Sequence, residues 1–232
     1  MRKFIYTLVI LTFAISAYAQ WETDYRLTND PAQSWGSYNN AWTIAANGLN
    51  VHAVWYDERD GGANIYYKRS TLSGLSWGAD LRLSSSNPAQ YYPSVAVSGN
   101  VVHIVWRDSR HLGSTSNSEI YYKRSTDNGV TWEADTRLTN DTAKSYNPSL
   151  AVSGSVVHVV WYDLRNGVSE IYYKRSTNAG VNWSADTRLT NNPAFSEEAS
   201  VAVSGSNVCV VWHDDRDNNF EIYCKRSTDA GT

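Results

Sequence analysis

The sequence predicts an all-β fold of stacked four-stranded antiparallel sheets, and three observations support this prediction. A segment of 50 to 56 residues recurs four times, over residues 21–76, 77–131, 132–182 and 183–232. Each copy contains four short stretches of strand-forming residues separated by turn residues. No part of the chain after residue 20 has the spacing of an amphipathic helix. A repeat of this length is typical of the blades of a β-propeller.

Each stretch has the pattern of a strand in such a blade. Residues 94–97 alternate between polar and apolar side chains, whereas residues 156–161 are apolar almost throughout, as expected of an inner strand covered on both faces. Ser-Gly pairs supply the turn between the first two strands (Ser98-Gly99, Ser153-Gly154, Ser204-Gly205). Four strands for each copy are therefore predicted.

The most specific motif spans residues 125–132 and reads S-x-D-x-G-x-T-W, through Ser125, Asp127, Gly129, Thr131 and Trp132. An Asp side chain can accept hydrogen bonds from turn amides, Gly allows a positive φ, and the Trp can cover the sheet edge. Variants stand in the other copies, with Ser73 and Asn178 assigned to the Asp position. The motif is therefore interpreted as a folding device.

This motif resembles the Asp box, or BNR repeat, of sialidases and related β-propellers. The resemblance implies a turn between the third and fourth strands of a blade, on the face away from the active site. It also implies that six blades are usual. Four repeats then form either a closed four-bladed ring or part of a larger propeller, and the ending inside a motif favours a C-terminally truncated product.

The first residues have the features of a secretory signal peptide. Arg2 and Lys3 precede an apolar run over residues 4–15, and Ala17 and Ala19 form a small-residue cleavage site. The run is too short to cross about 30 Å of hydrocarbon, and no second apolar run follows. We expect a signal peptide over residues 1–19, cleavage after Ala19, and a secreted or cell-surface propeller domain over residues 20–232 without a membrane span.

Charge excludes several classes of partner. The formal net charge is −3, and loss of Arg2 and Lys3 with the signal peptide changes it to −5. The chain has no long run of one charge, so nucleic acid and anionic membranes are not expected partners. The 16 Tyr and 10 Trp suit both a packed core and sugar recognition. Neither a cofactor nor a metal is predicted.

The only two cysteines occupy positions that hold His and Tyr in the other copies. Cys209 aligns with the histidines (His52, His103, His158), and Cys224 aligns with the tyrosines (Tyr67, Tyr122, Tyr173). Placing the turn on residues 215–218 predicts that the two cysteines face each other across a hairpin. Because exported chains meet oxidising conditions, we predict a disulfide, with two reduced thiols or a pair of metal ligands as the alternatives. Each His is expected to contact the facing Tyr.

A W-x-D-x-R pattern follows the second strand of every copy, at the face where propeller ligands usually bind. Its arginines are Arg59, Arg110, Arg165 and Arg216. Four guanidinium groups at one rim are candidates for carboxylate binding. The alternative, an Asp-Arg pair that holds each hairpin together, is favoured because the pattern recurs in every copy.

Residues that differ between copies are better candidates for a ligand site. Before the first strand, two copies have Tyr91-Tyr92 and Tyr146-Asn147 where the fourth has Glu197-Glu198. Arg107 and His213 replace Tyr56 and Tyr162, and a longer loop carries His111. Aromatic faces and carboxylates together suit sugars, so a glycan site is predicted from Glu197, Glu198, Trp35, Tyr38, Tyr91, Tyr92, Tyr146, Arg107 and His213. Solvated loop residues are the alternative.

Three functions are compatible with these patterns. The first is a non-catalytic exported propeller that binds glycans or surface proteins. The second is a sialidase-like glycoside hydrolase, which the Asp box and the arginine rim favour. The resemblance implies three arginines on the substrate carboxylate, a Tyr activated by a Glu, and an Asp as acid/base, and no individual Tyr, Glu or Asp is assignable to these roles. The third is a purely structural array. The first is preferred because the repeats are near-identical.

Overall fold

The computed structural model describes residues 22–37, 42–84, 89–110 and 117–232. Within these ranges the chain forms four antiparallel β-sheets, which we call blades A to D, and no helix. Accordingly, no described helix is long and apolar enough to cross a membrane. The predicted signal peptide lies outside the described residues.

Each blade is built from consecutive strands. Blade A contains β1 (Ser34–Trp35), β2 (Ile44–Asn47), β3 (Asn50–Asp57), β4 (Asn64–Ser70) and β5 (Leu81–Arg82). Blade B contains β6 (Gln90–Ser98), β7 (Val101–Asp108), β8 (Glu119–Ser125) and β9 (Thr136–Arg137). Blade C contains β10 (Ser145–Ser153), β11 (Val156–Asp163), β12 (Glu170–Ser176) and β13 (Thr187–Arg188). Blade D contains β14 (Ser196–Ser204), β15 (Asn207–Asp214) and β16 (Glu221–Ser227).

The strands of a blade pair in chain order, so each sheet is a simple meander. In blade A the first strand is divided, because β1 and β2 both pair with β3 and residues 36–43 intervene. The glycines of the Ser-Gly turns have left-handed backbones, with φ of 58° at Gly99 and 59° at Gly154. These turns therefore depend on residues without a β-carbon.

Successive blades pack face on face through three similar apolar cores. At the A–B contact, Val54, Ile65 and Tyr67 of blade A pack against Ile104 and Trp106 of blade B. The equivalent side chains form the B–C and C–D cores. Burial of these Val, Ile and Trp side chains is the main contribution to the free energy that stabilises the contact between neighbouring blades.

The outer face of blade D is exposed. Ile65, Ile120 and Ile171 are fully buried, whereas the equivalent Ile222 is 76% exposed. Val211 on the same face is 38% exposed. In addition, β16 has no fourth strand beside it among the described residues. The four sheets therefore stack in an arc that is not closed into a ring in this structure.

The first strands of all four blades lie around one axis. Parts of β2, β6, β10 and β14 line a single channel of about 360 Å³. Neighbouring first strands also bond directly, since the backbone N–H of Val95 donates to the carbonyl of Trp42 (2.7 Å) and that of Leu150 to Ser94 Oγ (3.3 Å). This arrangement brings the starts of the first strands to one rim.

The motif at residues 125–132 forms a closed local network. Asp127 Oδ1 accepts from the backbone N–H of Val130 (3.0 Å) and Thr131 (2.8 Å), and Ser125 Oγ accepts from that of Gly129 (2.8 Å). Trp132 packs edge-on against Tyr67 of the preceding blade, with ring centres 4.9 Å apart. The turn thus links two blades in addition to closing its own.

In the first copy, the assignment of Ser73 to the Asp position is wrong. Ser73 has φ of 53° and matches Asn128, with φ of 58°. Gly74 donates to Ser70 Oγ (2.9 Å) as Gly129 does to Ser125 Oγ. Leu72 therefore stands where Asp127 stands, and this turn lacks the carboxylate.

The predicted His-Tyr contacts are confirmed in blades A, B and C. The histidine Nδ1 lies 2.7 Å from the hydroxyl in His52-Tyr67 and His103-Tyr122, and 2.8 Å in His158-Tyr173. All three histidines are fully buried. Burial, with a smaller effect of a nearby arginine, lowers the pKa of each to about 4.

The cysteines lie close together but not directly opposite each other. Cys209 pairs with Arg226, and Cys224 pairs with Val211. The prediction of a direct pair is wrong because the hairpin is centred one residue further along the chain than assumed. The cysteines are diagonal neighbours, and both are free thiols with their Sγ atoms 3.0 Å apart. The disulfide stays a prediction.

Candidate functional site

The W-x-D-x-R segments form hydrogen-bonded networks inside their own blades. In blade C, buried Asp163 accepts from the indole N–H of Trp161 (3.0 Å), the backbone N–H of Arg165 (3.0 Å) and its guanidinium (2.7 Å). Arg165 also bonds Asp186 (2.9 Å) and stacks over Tyr172. Burial alone would raise the pKa of Asp163, but these hydrogen bonds hold it below its usual value. The network is satisfied without a ligand.

The other three blades repeat this arrangement. The guanidinium of Arg59 lies 2.6 Å from Asp57, that of Arg110 lies 2.6 Å from Asp108, and that of Arg216 lies 2.5 Å from Asp214. Each also stacks over the tyrosine of its third strand. A guanidinium bonded to the buried aspartate of its own segment stabilises its own hairpin. The four arginines are therefore engaged within their blades.

The starts of the first strands contain β-bulges with unusual backbone conformations. The pairing register shifts between Tyr91 and Ser94 in blade B, between Tyr146 and Ser149 in blade C, and between Glu197 and Ser200 in blade D. The residue after each Tyr or Glu is left-handed, with φ of 56° at Tyr92, 48° at Asn147 and 54° at Glu198. A left-handed residue other than Gly costs about 1 kcal/mol, and such strain concentrates at functional sites.

Aromatic contacts join blade A to the bulges of blades B and C. Tyr56 on β3 packs edge-on against Tyr91, with ring centres 5.2 Å apart. The Arg107 guanidinium lies over the Tyr146 ring at 4.4 Å and 5.6 Å from that of Tyr91. Tyr146 in turn stacks on Tyr162 at 5.2 Å. Side chains from three blades therefore form one continuous surface.

Blade D adds two carboxylates to this surface. Asn147 Nδ2 donates to Glu198 Oε1 (2.5 Å) across the C–D contact, and Glu197 lies 3.9 Å from His213 Nε2. Glu198 Oε2 is buried and has no hydrogen-bond partner among the described residues. Burial, and secondarily the charge of Glu197, raise the pKa of Glu198. Burial, with these same carboxylates, also raises the pKa of Tyr162.

We call this set the rim cluster. It consists of Tyr56, Tyr91, Tyr92, Arg107, Tyr146, Asn147, Tyr162, Glu197, Glu198 and His213. It combines stacked phenol rings, one guanidinium and two carboxylates. Among the described residues, no group of three His, Cys, Asp or Glu side chains is arranged to hold a metal ion. The chemistry that the cluster offers is hydrogen bonding and ring stacking.

No protein-family model and no curated protein sequence matches the chain. Solved structures do match it. The α-L-arabinanase of Penicillium chrysogenum, complexed with arabinobiose, superposes with a TM-score of 0.61 at 13% identity, over 86% of this chain and 69% of that one. A GH93 α-L-arabinofuranosidase of Fusarium graminearum, also with arabinobiose, gives 0.59 at 15% identity, over 84% and 65%.

A sialidase of Trypanosoma rangeli, in complex with 2,3-difluorosialic acid, gives a TM-score of 0.58 at 17% identity, over 81% of this chain and 35% of that chain. The chain has a sialidase-like β-propeller fold. It spans about a third of the sialidase and about two thirds of the arabinofuranosidase. Identities this low establish the propeller architecture alone.

On this propeller, seven of the predicted ligand residues come together in the rim cluster: Tyr91, Tyr92, Arg107, Tyr146, Glu197, Glu198 and His213. The four W-x-D-x-R arginines do not join them, for the reason given above. Trp35 lies at the edge of the cluster, stacked on Tyr56 at 6.5 Å and 40% exposed. Tyr38 and His111 lie outside the described residues.

Three members of the rim cluster were missed from the sequence: Tyr56, Asn147 and Tyr162. Each of them carried a signal. Tyr56 and Tyr162 hold the repeat position of Arg107 and His213, so one column of the alignment supplies four members of the cluster. Asn147 holds the repeat position of Tyr92 and Glu198, but its hydrogen bond to Glu198, which lies 51 residues away in the chain, did not follow from the sequence.

Proposed function

We propose that the chain is an exported propeller that binds glycans at the rim cluster. The observation that carries this proposal is the row of three left-handed residues, Tyr92, Asn147 and Glu198, at equivalent positions of successive blades. Glycine would relieve the backbone strain at each position. A Tyr, an Asn and a Glu stand at these positions instead, and each adds an aromatic or polar side chain to the rim cluster, where a ligand could contact it.

The chemistry of the cluster fits a sugar. Tyr faces stack on the apolar faces of sugar rings, and a few placed polar groups bond the hydroxyls. Glu198 Oε2 and the Arg107 Nε are buried and have no protein partner among the described residues. A carboxylate can accept from two hydroxyl groups, and a guanidinium can donate to a third.

The structural neighbours lend support. The arabinanase and the arabinofuranosidase were both solved with arabinobiose, and the sialidase with a sialic acid derivative. These sugars are ligands of the neighbouring proteins. For the present chain we propose a sugar site at the rim cluster. Glycans carried by surface proteins would bind to the same residues.

A second candidate function is glycoside hydrolysis, and one observation favours it. Glu197 and Glu198 are adjacent, and the pKa of Glu198 is raised mainly by burial. Two carboxyl groups in different environments are the usual means by which glycosidases divide the acid and nucleophile roles. Release of reducing sugar from bound glycans, lost in Glu198→Gln, would select this function.

A glycan array followed by calorimetric titration tests the binding proposal. The variants Tyr146→Ala and Asn147→Ala remove a stacking face and the amide that orients Glu198, and we expect each to weaken binding at least tenfold. Leu75→Ser is the matched control, because Leu75 is 68% exposed on the turn at the other end of blade A. Absence of any glycan ligand, or equal binding by all three variants, would contradict the proposal.

Export and the disulfide belong to the same proposal. In an oxidising compartment, Cys209 and Cys224 are close enough to bond after a small movement. Intact mass of the exported protein before and after reduction tests this. A gain of about two mass units on reduction is expected, and an unchanged mass would indicate two thiols.

A further inference from the structure

We infer that the rim cluster selects neutral sugars and discriminates against sugars that carry a carboxylate. This inference rests on the proposed glycan binding and adds the class of ligand to it. Three sets of charged groups determine the electrostatic environment of a ligand at the rim: the W-x-D-x-R arginines, Arg107, and the two glutamates of blade D.

The four W-x-D-x-R arginines contribute no free positive charge. Their guanidinium groups lie 2.5 to 2.7 Å from the aspartate of the same segment. In three blades, a second carboxylate lies 2.7 to 2.9 Å away, from Asp80, Asp135 or Asp186. A ligand carboxylate would have to displace these partners, and the buried aspartates of the W-x-D-x-R segments would then be left without a counter-charge.

Arg107 is the one guanidinium of the rim cluster. It lies between Tyr91 and Tyr146, and the tyrosine faces hold it by a cation–π interaction. Its Nε is buried. A single stacked arginine can orient a hydroxyl or a ring oxygen, and it is the only guanidinium in the cluster that could pair with a ligand carboxylate.

Two carboxylates stand opposite this single arginine. Glu197 and Glu198 are half-buried on β14, and the one ion pair found for them among the described residues is that of Glu197 with His213 Nε2, at 3.9 Å. Glu198 Oε2 is an acceptor without a donor among the described residues. A sugar hydroxyl supplies that donor, whereas a sugar carboxylate would repel it, and like charges brought together at an interface are strongly unfavourable.

The test uses pairs of probes of which one member is neutral and the other carries carboxylate: methyl glucoside and methyl glucuronide, which differ in that group alone, and also galactan and polygalacturonate, and lactose and sialyllactose. We expect the neutral member of the bound pair to bind at least about tenfold more tightly, equivalent to about 1.4 kcal/mol. Affinities are measured by titration calorimetry at neutral pH and low salt, where charge effects are least screened.

The variant Glu198→Gln identifies the cause of the selection. It removes the negative charge while keeping the shape, so the ratio of neutral to acidic affinity should fall at least threefold, whatever happens to the neutral affinity itself. Glu133→Gln is the matched control, since Glu133 is an exposed carboxylate paired with Arg124 beside the turn of blade B. Its ratio should equal that of the wild type.

The outcomes separate the two proposals. Tighter binding of the acidic member, lost in Arg107→Gln, would overturn the neutral-sugar inference and leave glycan binding intact. An unchanged ratio in Glu198→Gln would also overturn it. If neither member of any pair binds, the proposed function fails and this inference fails with it.

Discussion

The W-x-D-x-R networks and the rim cluster lie at the same end of the blades, and they differ in almost every physical respect. The networks have the same residues in all four blades, and the carboxylates at their centres are buried and fully bonded. The rim cluster has different residues in each blade, left-handed backbones and polar atoms without a partner among the described residues. Repetition accompanies stability here, and departure from the repeat accompanies the proposed binding.

The largest effect is expected from a substitution in a W-x-D-x-R network. Asp163→Ala removes the acceptor that Trp161, Arg165 and Ser145 share, and it leaves the buried indole N–H of Trp161 and the buried hydroxyl of Ser145 without that partner. We expect the free energy of unfolding to fall by about 3 to 5 kcal/mol, measured by urea denaturation. Glu133→Ala, which breaks an exposed ion pair, should change it by less than about 1 kcal/mol. If Asp163→Ala kept its stability but lost glycan binding, the networks would belong to the site.

The next effect concerns the contact between blades. A β-carbon on Gly180 would lie 1.9 Å from the hydroxyl of Tyr122, which is buried and bonded to His103. Gly180→Ala should therefore lower the unfolding free energy by about 2 to 4 kcal/mol. Gly154 also has a left-handed backbone, with φ of 59°, but a β-carbon there would meet no atom within 4 Å. Gly154→Ala should therefore lower the unfolding free energy by only about 1 kcal/mol. Equal losses would show that this interface is loosely packed.

A pH titration examines the buried histidines. Their pKa is about 4 in the folded chain and about 6.5 when unfolded, so the unfolded chain binds more protons between these values. Their contribution to stability is full above pH 6.5 and is lost as the pH falls to 4. Between pH 4 and 6.5, His158→Gln should reduce the slope of unfolding free energy against pH by up to about 1.4 kcal/mol per pH unit. An unchanged slope would mean that His158 is charged in the folded chain.

Protonation of Asp57 affects stability in a lower pH range than protonation of the histidines does. Burial would raise the pKa of Asp57, but hydrogen bonds from Arg59, Ser34 and Trp55 lower it to about 2. Its contribution to stability is therefore present above the usual Asp pKa and is lost as the pH falls from about 3.8 to 2. The histidine window can be measured without interference from this group.

The smallest effect separates strain from function. Ala179 has φ of 54° in the turn of blade C, away from the rim cluster. Ala179→Gly should raise the unfolding free energy by about 1 kcal/mol, because glycine adopts this conformation without steric penalty. Glycan affinity should stay within twofold of wild type. A loss of stability would show that the left-handed residues of this chain are not strained.

The architecture was predictable from the sequence because it is repeated. Four copies reveal the strands, the turns and the His-Tyr contacts by simple comparison, and the same comparison singled out Arg107 and His213 as departures. A contact within one hairpin, such as that of Cys209 with Cys224, was predictable only to within one step of register. The position of a turn is not encoded tightly enough to decide between direct and diagonal neighbours.

The rim cluster was predictable in its membership but not in its geometry. Nothing in the local sequence indicates that Tyr92, Asn147 and Glu198 adopt left-handed backbones, since the bulges arise from pairing with the second strand. The bond between Asn147 and Glu198, and the position of Arg107 over Tyr146, depend on how two blades stack. Division of the first strand of blade A into β1 and β2 likewise follows from extra residues with no counterpart in the other copies.

The most direct test measures stability and glycan affinity together in Glu198→Gly. Relief of the left-handed strain should offset the lost hydrogen bond from Asn147, so the unfolding free energy should stay within about 0.5 kcal/mol of wild type. Glycan affinity should fall at least tenfold. A large loss of stability with affinity retained would contradict the claim that the rim cluster departs from the repeat in order to bind a ligand.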